Sequence, residues 1–109
     1  MNSSIVIALP KIDDAKKIRT ILNRHGFSVA AVCSTASTAL ASMSELDGGV
    51  LICGYKLTDR YYRDVLEDIP SYFEMLLLAS GRVIAEAPTS VLTVEMPMKV
   101  SDLVNTVDM

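Results

Sequence analysis

Short, continuous apolar runs alternate five times with amphipathic segments along this chain, and that alternation limits the fold more than any other feature. Ser4-Ile5-Val6-Ile7-Ala8-Leu9 is brief, β-branched and apolar throughout, which predicts a strand buried on both faces. Pro10 ends it. Ile12, Ala15, Ile18, Ile21 and Leu22 then recur at helical spacing, with Lys16, Lys17, Arg19 and Arg24 on the polar side. Asp13 and Asp14 fall in the first turn, where acids favour the helix dipole, and Gly26 follows His25 as a stop.

The remaining units repeat this plan. Phe27 to Cys33 is expected as the second strand, with Ser34 or Thr35 capping a helix whose stripe is Ala36, Ala39, Leu40 and Met43. Gly48-Gly49 turns the chain into Val50-Leu51-Ile52-Cys53, a central strand by its apolar continuity. A loop leads to a helix with Tyr62, Val65, Leu66 and Ile69 on one face, closed by Pro70. Phe73 to Ala79 is the fourth strand, Arg82 to Ala87 a short helix, and Ser90 to Glu95 the fifth strand. Val100, Leu103, Val104 and Val107 mark a last helix. Successive βα units predict an α/β, doubly wound five-stranded parallel sheet with right-handed crossovers.

Length and composition agree. The chain has 109 residues, 50% of them hydrophobic and 21% charged, which suits one domain with a real core. A net charge of −3 and a pI near 5.0 argue against binding nucleic acid over the whole surface. No apolar run can span a bilayer and the start lacks a signal-peptide pattern, so the expected setting is cytoplasmic, with no membrane partner. The last helix runs to Met109 without a stop signal. That leads us to expect residues 1–109 as the N-terminal part of a longer regulator; a helix fraying at a natural terminus is the alternative.

In a doubly wound sheet, function gathers at the carboxyl ends of the strands. Here those ends read Leu9-Pro10-Lys11, Gly54-Tyr55-Lys56-Leu57-Thr58-Asp59, Ala79-Ser80 and Glu95-Met96-Pro97. On these segments, with Ser101-Asp102-Leu103 after the last, the chain resembles the receiver domain of two-component response regulators, the CheY-like, flavodoxin-like architecture. The resemblance implies strand order 2-1-3-4-5, with a shortened fourth helix in this chain.

It also implies a site that this chain lacks. The family's phospho-acceptor aspartate falls at Gly54, its acidic pair at Leu9 and Pro10, and its lysine at Met96. Its hydroxyl falls at Ala79 or Ser80, with Ser80 a retained hydroxyl in the second case, and its aromatic switch at Thr93. Mg²⁺ needs hard oxygen ligands, and phosphoryl transfer needs charge neutralised around the phosphoryl oxygens. Leucine, proline, glycine and methionine supply neither. The expectation is a pseudo-receiver with no metal, no cofactor and no catalytic residue, more stable without ligand because a like-charge cluster is gone. Its partners would be an output domain or another protein, and possible homodimers. It would reach nucleic acid only through a further C-terminal domain, in transcription regulation or antitermination, with the RNA-binding ANTAR type slightly favoured. A ligand-binding or enzymatic flavodoxin-like domain, with a site near Gly54, Met96 and Ser80, is the alternative.

Other candidates read as structural. Asp13 and Asp14 lie a turn beyond the strand end and should be solvated. Asp59 is expected as a turn-forming, solvated residue. Cys33 and Cys53 should flank the first strand about 9–10 Å apart, too far for a disulfide. His25, the one histidine, sits at a helix C-terminus with no catalytic partners. Tyr55, Tyr61 and Tyr62, with Arg60 and Arg63, are read as one core tyrosine with half-exposed companions, or else as an interaction surface. Gly48-Gly49 precedes a strand, the wrong side for a phosphate cradle.

Overall fold

Each apolar run forms a strand because each is covered on both faces. The computed structural model describes residues 4–97 and 99–108. Its elements in chain order are β1 (Ser4–Ala8), α1 (Ile12–Arg24), β2 (Val29–Cys33), α2 (Ala36–Ser44), β3 (Gly49–Gly54), α3 (Tyr62–Asp68), β4 (Phe73–Ala79), α4 (Gly81–Ala85), β5 (Leu92–Glu95) and α5 (Val100–Val107). The sheet order is β2-β1-β3-β4-β5 and every pairing is parallel. The doubly wound α/β architecture is therefore as expected, with α4 reduced to five residues.

Side chains alternate across the sheet. Val6, Ala8, Leu51, Cys53, Met75 and Leu77 pack towards α2, α3 and α4, against Ala36, Ala39, Met43 and Val65. Ile5, Ile7, Ile52, Leu76, Leu78 and Val94 pack towards α1 and α5, against Ala15, Ile18, Leu22 and Leu103. No polar or charged side chain is buried among the described residues. Among them, no helix is long and apolar enough to cross a membrane.

Several boundaries differ from the sequence expectation. β2 starts at Val29, because Phe27 is still closing α1: its N–H donates to the Leu22 carbonyl after Gly26 turns at φ +85°. β5 starts at Leu92, because Val91 N–H is taken by the Pro88 carbonyl in a turn. α4 begins and ends earlier than read, stopping before Ala87, whose N–H closes on the Ile84 carbonyl. Gly49 is required where the chain enters β3, since a Cβ there would lie 1.8 Å from the Ser4 carbonyl oxygen.

Candidate functional site

β1 and β3 are neighbours in the sheet, so Leu9-Pro10 and Gly54-Tyr55 leave its carboxyl edge side by side. Met96 follows β5, two strands away, and donates its N–H to the Ala79 carbonyl at 2.8 Å. The Met96–Pro97 peptide is cis. Leu9, Pro10, Gly54 and Met96 line one cleft of about 520 Å³. Ile18 and Ile21 of α1 and Leu78 of β4 complete its apolar wall, and Tyr55 borders it. A Cβ added to Gly54 would meet Leu9 Cδ2 at 3.2 Å and Pro10 Cδ at 3.5 Å, so Leu9 would have to give by a few tenths of an ångström and Pro10 not at all.

The cleft's charged groups are Asp14, Lys17 and Lys56, all exposed. Asp14 was expected in solvent. It is exposed and also borders the cleft, because the first turn of α1 rises directly from the end of β1. Asp13 is exposed and is not among the lining residues. Ser80 and Thr93 do not line the cleft either. Ser80 is the exposed N-cap of α4 and makes no side-chain cap bond there. Thr93 pairs with Leu77, so it faces the α2–α4 side of the sheet, away from α1.

Asp59 has a role that spacing did not reveal. Its carboxylate accepts from the Ala36 N–H at 2.7 Å, the Ser37 N–H at 3.2 Å and the Ser37 hydroxyl at 3.2 Å. It thus caps α2 across more than twenty residues of sequence, beside the local cap in which Thr35 accepts from the Thr38 N–H. The Ala36 N–H chiefly holds the Asp59 carboxyl below its ordinary range, against the opposing effect of burial and with further lowering from Ser37. One signal did exist: α2 carries no acid in its own first turn.

The loop that presents Asp59 is stitched in place. Leu57 is 1% exposed, its N–H bonds the Arg60 carbonyl at 2.7 Å, and Tyr62 N–H bonds the Tyr55 carbonyl at 2.9 Å. Thr58 Oγ1 donates to the Ser34 carbonyl at 3.0 Å. Tyr62 is the core tyrosine, 2% exposed, whereas Tyr55 and Tyr61 are 48% and 45% exposed and meet edge to face with centroids 5.3 Å apart. Arg60 pairs with Asp68 at 2.6 Å on the surface, and Arg63 donates to the Glu86 carbonyl.

Cys33 and Cys53 are both buried and unpaired. Both stand opposite Ala8, from the two sides of β1, which keeps them two strand spacings apart. Burial pushes the Cys53 thiol up to about 12, and pushes Cys33 up while the Ser42 hydroxyl pulls it back.

No family model and no curated protein matches the chain. Solved structures do. The anti-anti-sigma factor PhyR from Bartonella quintana aligns at 16% identity with a TM-score of 0.80, over 99% of this chain and 46% of that one. A receiver domain from Clostridium thermocellum aligns at 18% identity with a TM-score of 0.82, over 97% of this chain and 91% of that one. The signal receiver domain of an HD domain-containing protein from Pseudomonas fluorescens aligns at 14% identity with a TM-score of 0.83, over 99% and 93%. The chain has the receiver fold. It spans less than half the length of the PhyR protein it matches.

The receiver fold brings Mg²⁺ into question, and the donors at the cleft do not suit it. Among the described residues Asp14 is the one carboxylate lining it, on an exposed helical turn; Lys17 and Lys56 are cations, and Leu9, Pro10, Ile18, Ile21, Leu78 and Met96 are apolar. Mg²⁺ demands oxygen ligands in near-octahedral order. Among the described residues, no three His, Cys, Asp or Glu side chains gather into a metal-ligating group.

Proposed function

We propose that this chain is a pseudo-receiver: a non-catalytic signalling domain that controls an output domain or partner protein through protein contacts, without aspartyl phosphorylation. One observation carries the reading. Gly54, which ends β3 where the receiver resemblance puts the phospho-acceptor, has no side chain, and a Cβ there would meet the apolar side chains of Leu9 and Pro10 at 3.2 and 3.5 Å. A phosphoryl group transferred to a carboxylate requires the nucleophile itself, a cation to neutralise the transferred oxygens, and a fixed geometry. On this reading Gly54 removes the first, Leu9, Pro10 and Met96 remove the second, and only the scaffold is left.

The output side of the reading rests on surface chemistry. Met96 and Val100, 44% and 43% exposed, leave apolar area next to β5, an edge strand. The shortened α4 reshapes the same side. We assign this face to the partner domain or to a second copy, with any nucleic-acid contact made by an attached domain. The ANTAR-type output suggested by resemblance draws no support from the matched structures. Regulation of transcription remains part of the proposal.

The test is an amide-shift titration with Mg²⁺ and beryllofluoride. The pseudo-receiver should show no saturable change at Leu9, Gly54 or Met96. Saturable shifts at those residues would refute it.

A further inference from the structure

We infer that the cleft at the carboxyl edge of the sheet is a binding site for a small molecule with an apolar body and a single anionic group, which acts as the input in place of a phosphoryl group. This rests on the pseudo-receiver reading, because it assigns a new occupant to the same edge. Three observations carry it together.

The first is space. The cleft beside Gly54 has a volume of about 520 Å³, within the ordinary range for ligand pockets. Leu9 and Pro10 flank Gly54 without closing the cleft, whose far wall is Ile18, Ile21 and Leu78. The second is polarity. That wall belongs to the α1–α5 side of the core, with Leu9, Ile18 and Leu78 only 8%, 5% and 5% exposed. A concave apolar surface of this kind gains from an apolar occupant that displaces water.

The third is charge. Lys17 on α1 and Lys56 after β3 both line the cleft, with Asp14 the one acid among its described lining residues. Lys56 Nζ rests 5.3 Å from the centroid of the Tyr61 ring, an exposed neighbour outside the cleft lining, and is free to swing on its flexible stem. The balance at the mouth is one net positive charge. It favours an anionic head over a neutral or cationic one, while the apolar wall takes the tail. Neither lysine is needed for the core, so both are open to test.

The experiment uses the chain itself and three probes with the same aliphatic tail: octanoate, octanol and octylammonium, followed by amide shifts, together with the Mg²⁺ and beryllofluoride titration. Octanoate should shift Leu9, Gly54, Leu78 and Met96 saturably, and should bind about fivefold more tightly than octylammonium, as expected for two solvent-facing ion contacts. The Lys17→Glu/Lys56→Glu variant should invert that preference while leaving the fold intact. Equal affinity for octanoate and octylammonium, or shifts located away from the cleft, would overturn the inference with the pseudo-receiver reading untouched. A beryllofluoride response would instead strike the reading beneath it.

Discussion

Gly54→Asp restores the one group that aspartyl phosphorylation cannot do without, and the structure says what that restoration should cost. The new Cβ would sit 3.2 Å from Leu9 Cδ2, inside normal contact, so Leu9 must shift by a few tenths of an ångström. Such mild overpacking costs about 1 kcal/mol. The carboxylate then enters the apolar wall of Leu9, Pro10 and Met96, with Lys17 and Lys56 only among the exposed lining residues. An apolar setting raises a carboxyl pKa, and a rise of about one unit adds about 1.4 kcal/mol at neutral pH. Replacing glycine where φ is ordinary returns about 0.5 kcal/mol from the unfolded chain. The net loss is about 2 kcal/mol, which lowers Tm by about 8 °C for a domain of this size. Gly54→Ala carries the steric part alone and should lose about 2 °C. The sign with pH follows from the raised folded-state pKa: the charge penalty is absent below the unfolded value and grows as pH rises through it. Scanning calorimetry of both variants at about pH 3 and pH 7 checks this, and the gap between them should open only at the higher pH. A Gly54→Asp protein as stable as the parent at pH 7, and stabilised further by Mg²⁺, would show that the cleft supplies cation coordination and would refute the reasoning.

Asp59→Ala should destabilise the protein and speed amide exchange at Ala36 and Ser37, since both N–H groups lose their acceptor. The Asp59 carboxyl is lowered, mainly by the Ala36 N–H, so its contribution is present above the unfolded carboxylate pKa and is lost as pH falls through the folded one. Acid unfolding curves of parent and variant should therefore converge at low pH; a constant gap would remove the cap from the account. Cys33 and Cys53 should resist thiol reagents in the native protein at pH 8 and react after unfolding. The Cys53 thiol is raised from 9.0 to about 12, so stability is held below 9.0 and declines as pH rises toward 12. Cys53→Ala should flatten that alkaline decline, and an unchanged slope would count against burial as its cause.

How far the sequence could be read depended on the distance over which each feature is encoded. The strands were legible because burial on both faces leaves an unbroken apolar run, as in Ile5 to Leu9 and Met75 to Ala79. The starts of β2 and β5 were not, because Phe27 and Val91 are apolar residues whose backbones serve turns instead of ladders. Tyr62 was legible as a core residue through its helical spacing with Val65. The Asp59 cap was not, because its donors on α2 lie in a different βα unit and only the packed sheet brings the two loops together. At the cleft, the apolar character of Leu9, Pro10, Gly54 and Met96 could be read directly, whereas the exclusion of Ser80 and Thr93 and the presence of Asp14 and Lys17 depend on how α1 and α4 leave the sheet.

On the pseudo-receiver reading, the loss of chemistry and the packing of the fold are one event at this edge. Leu9 counts among the core residues of the α1–α5 side, and the same side chain occupies the approach to Gly54. A change at either position is therefore felt at the other. Leu9→Asp alone would place a charge in an apolar wall beside an empty Gly54 corner, and Gly54→Asp alone would press a carboxylate onto Leu9. Made together, the steric part of the second substitution disappears, while the two carboxylates repel unless a cation binds between them. The two effects have opposite signs, so they are separated by pH: at about pH 3, with the carboxyls protonated, the double variant should be more stable than the sum of the singles, and at neutral pH that excess should shrink and return as Mg²⁺ is added. Strict additivity at about pH 3 would mean that Leu9 and Gly54 do not share one space, and the case for a corner narrowed by its own packing would fall with it.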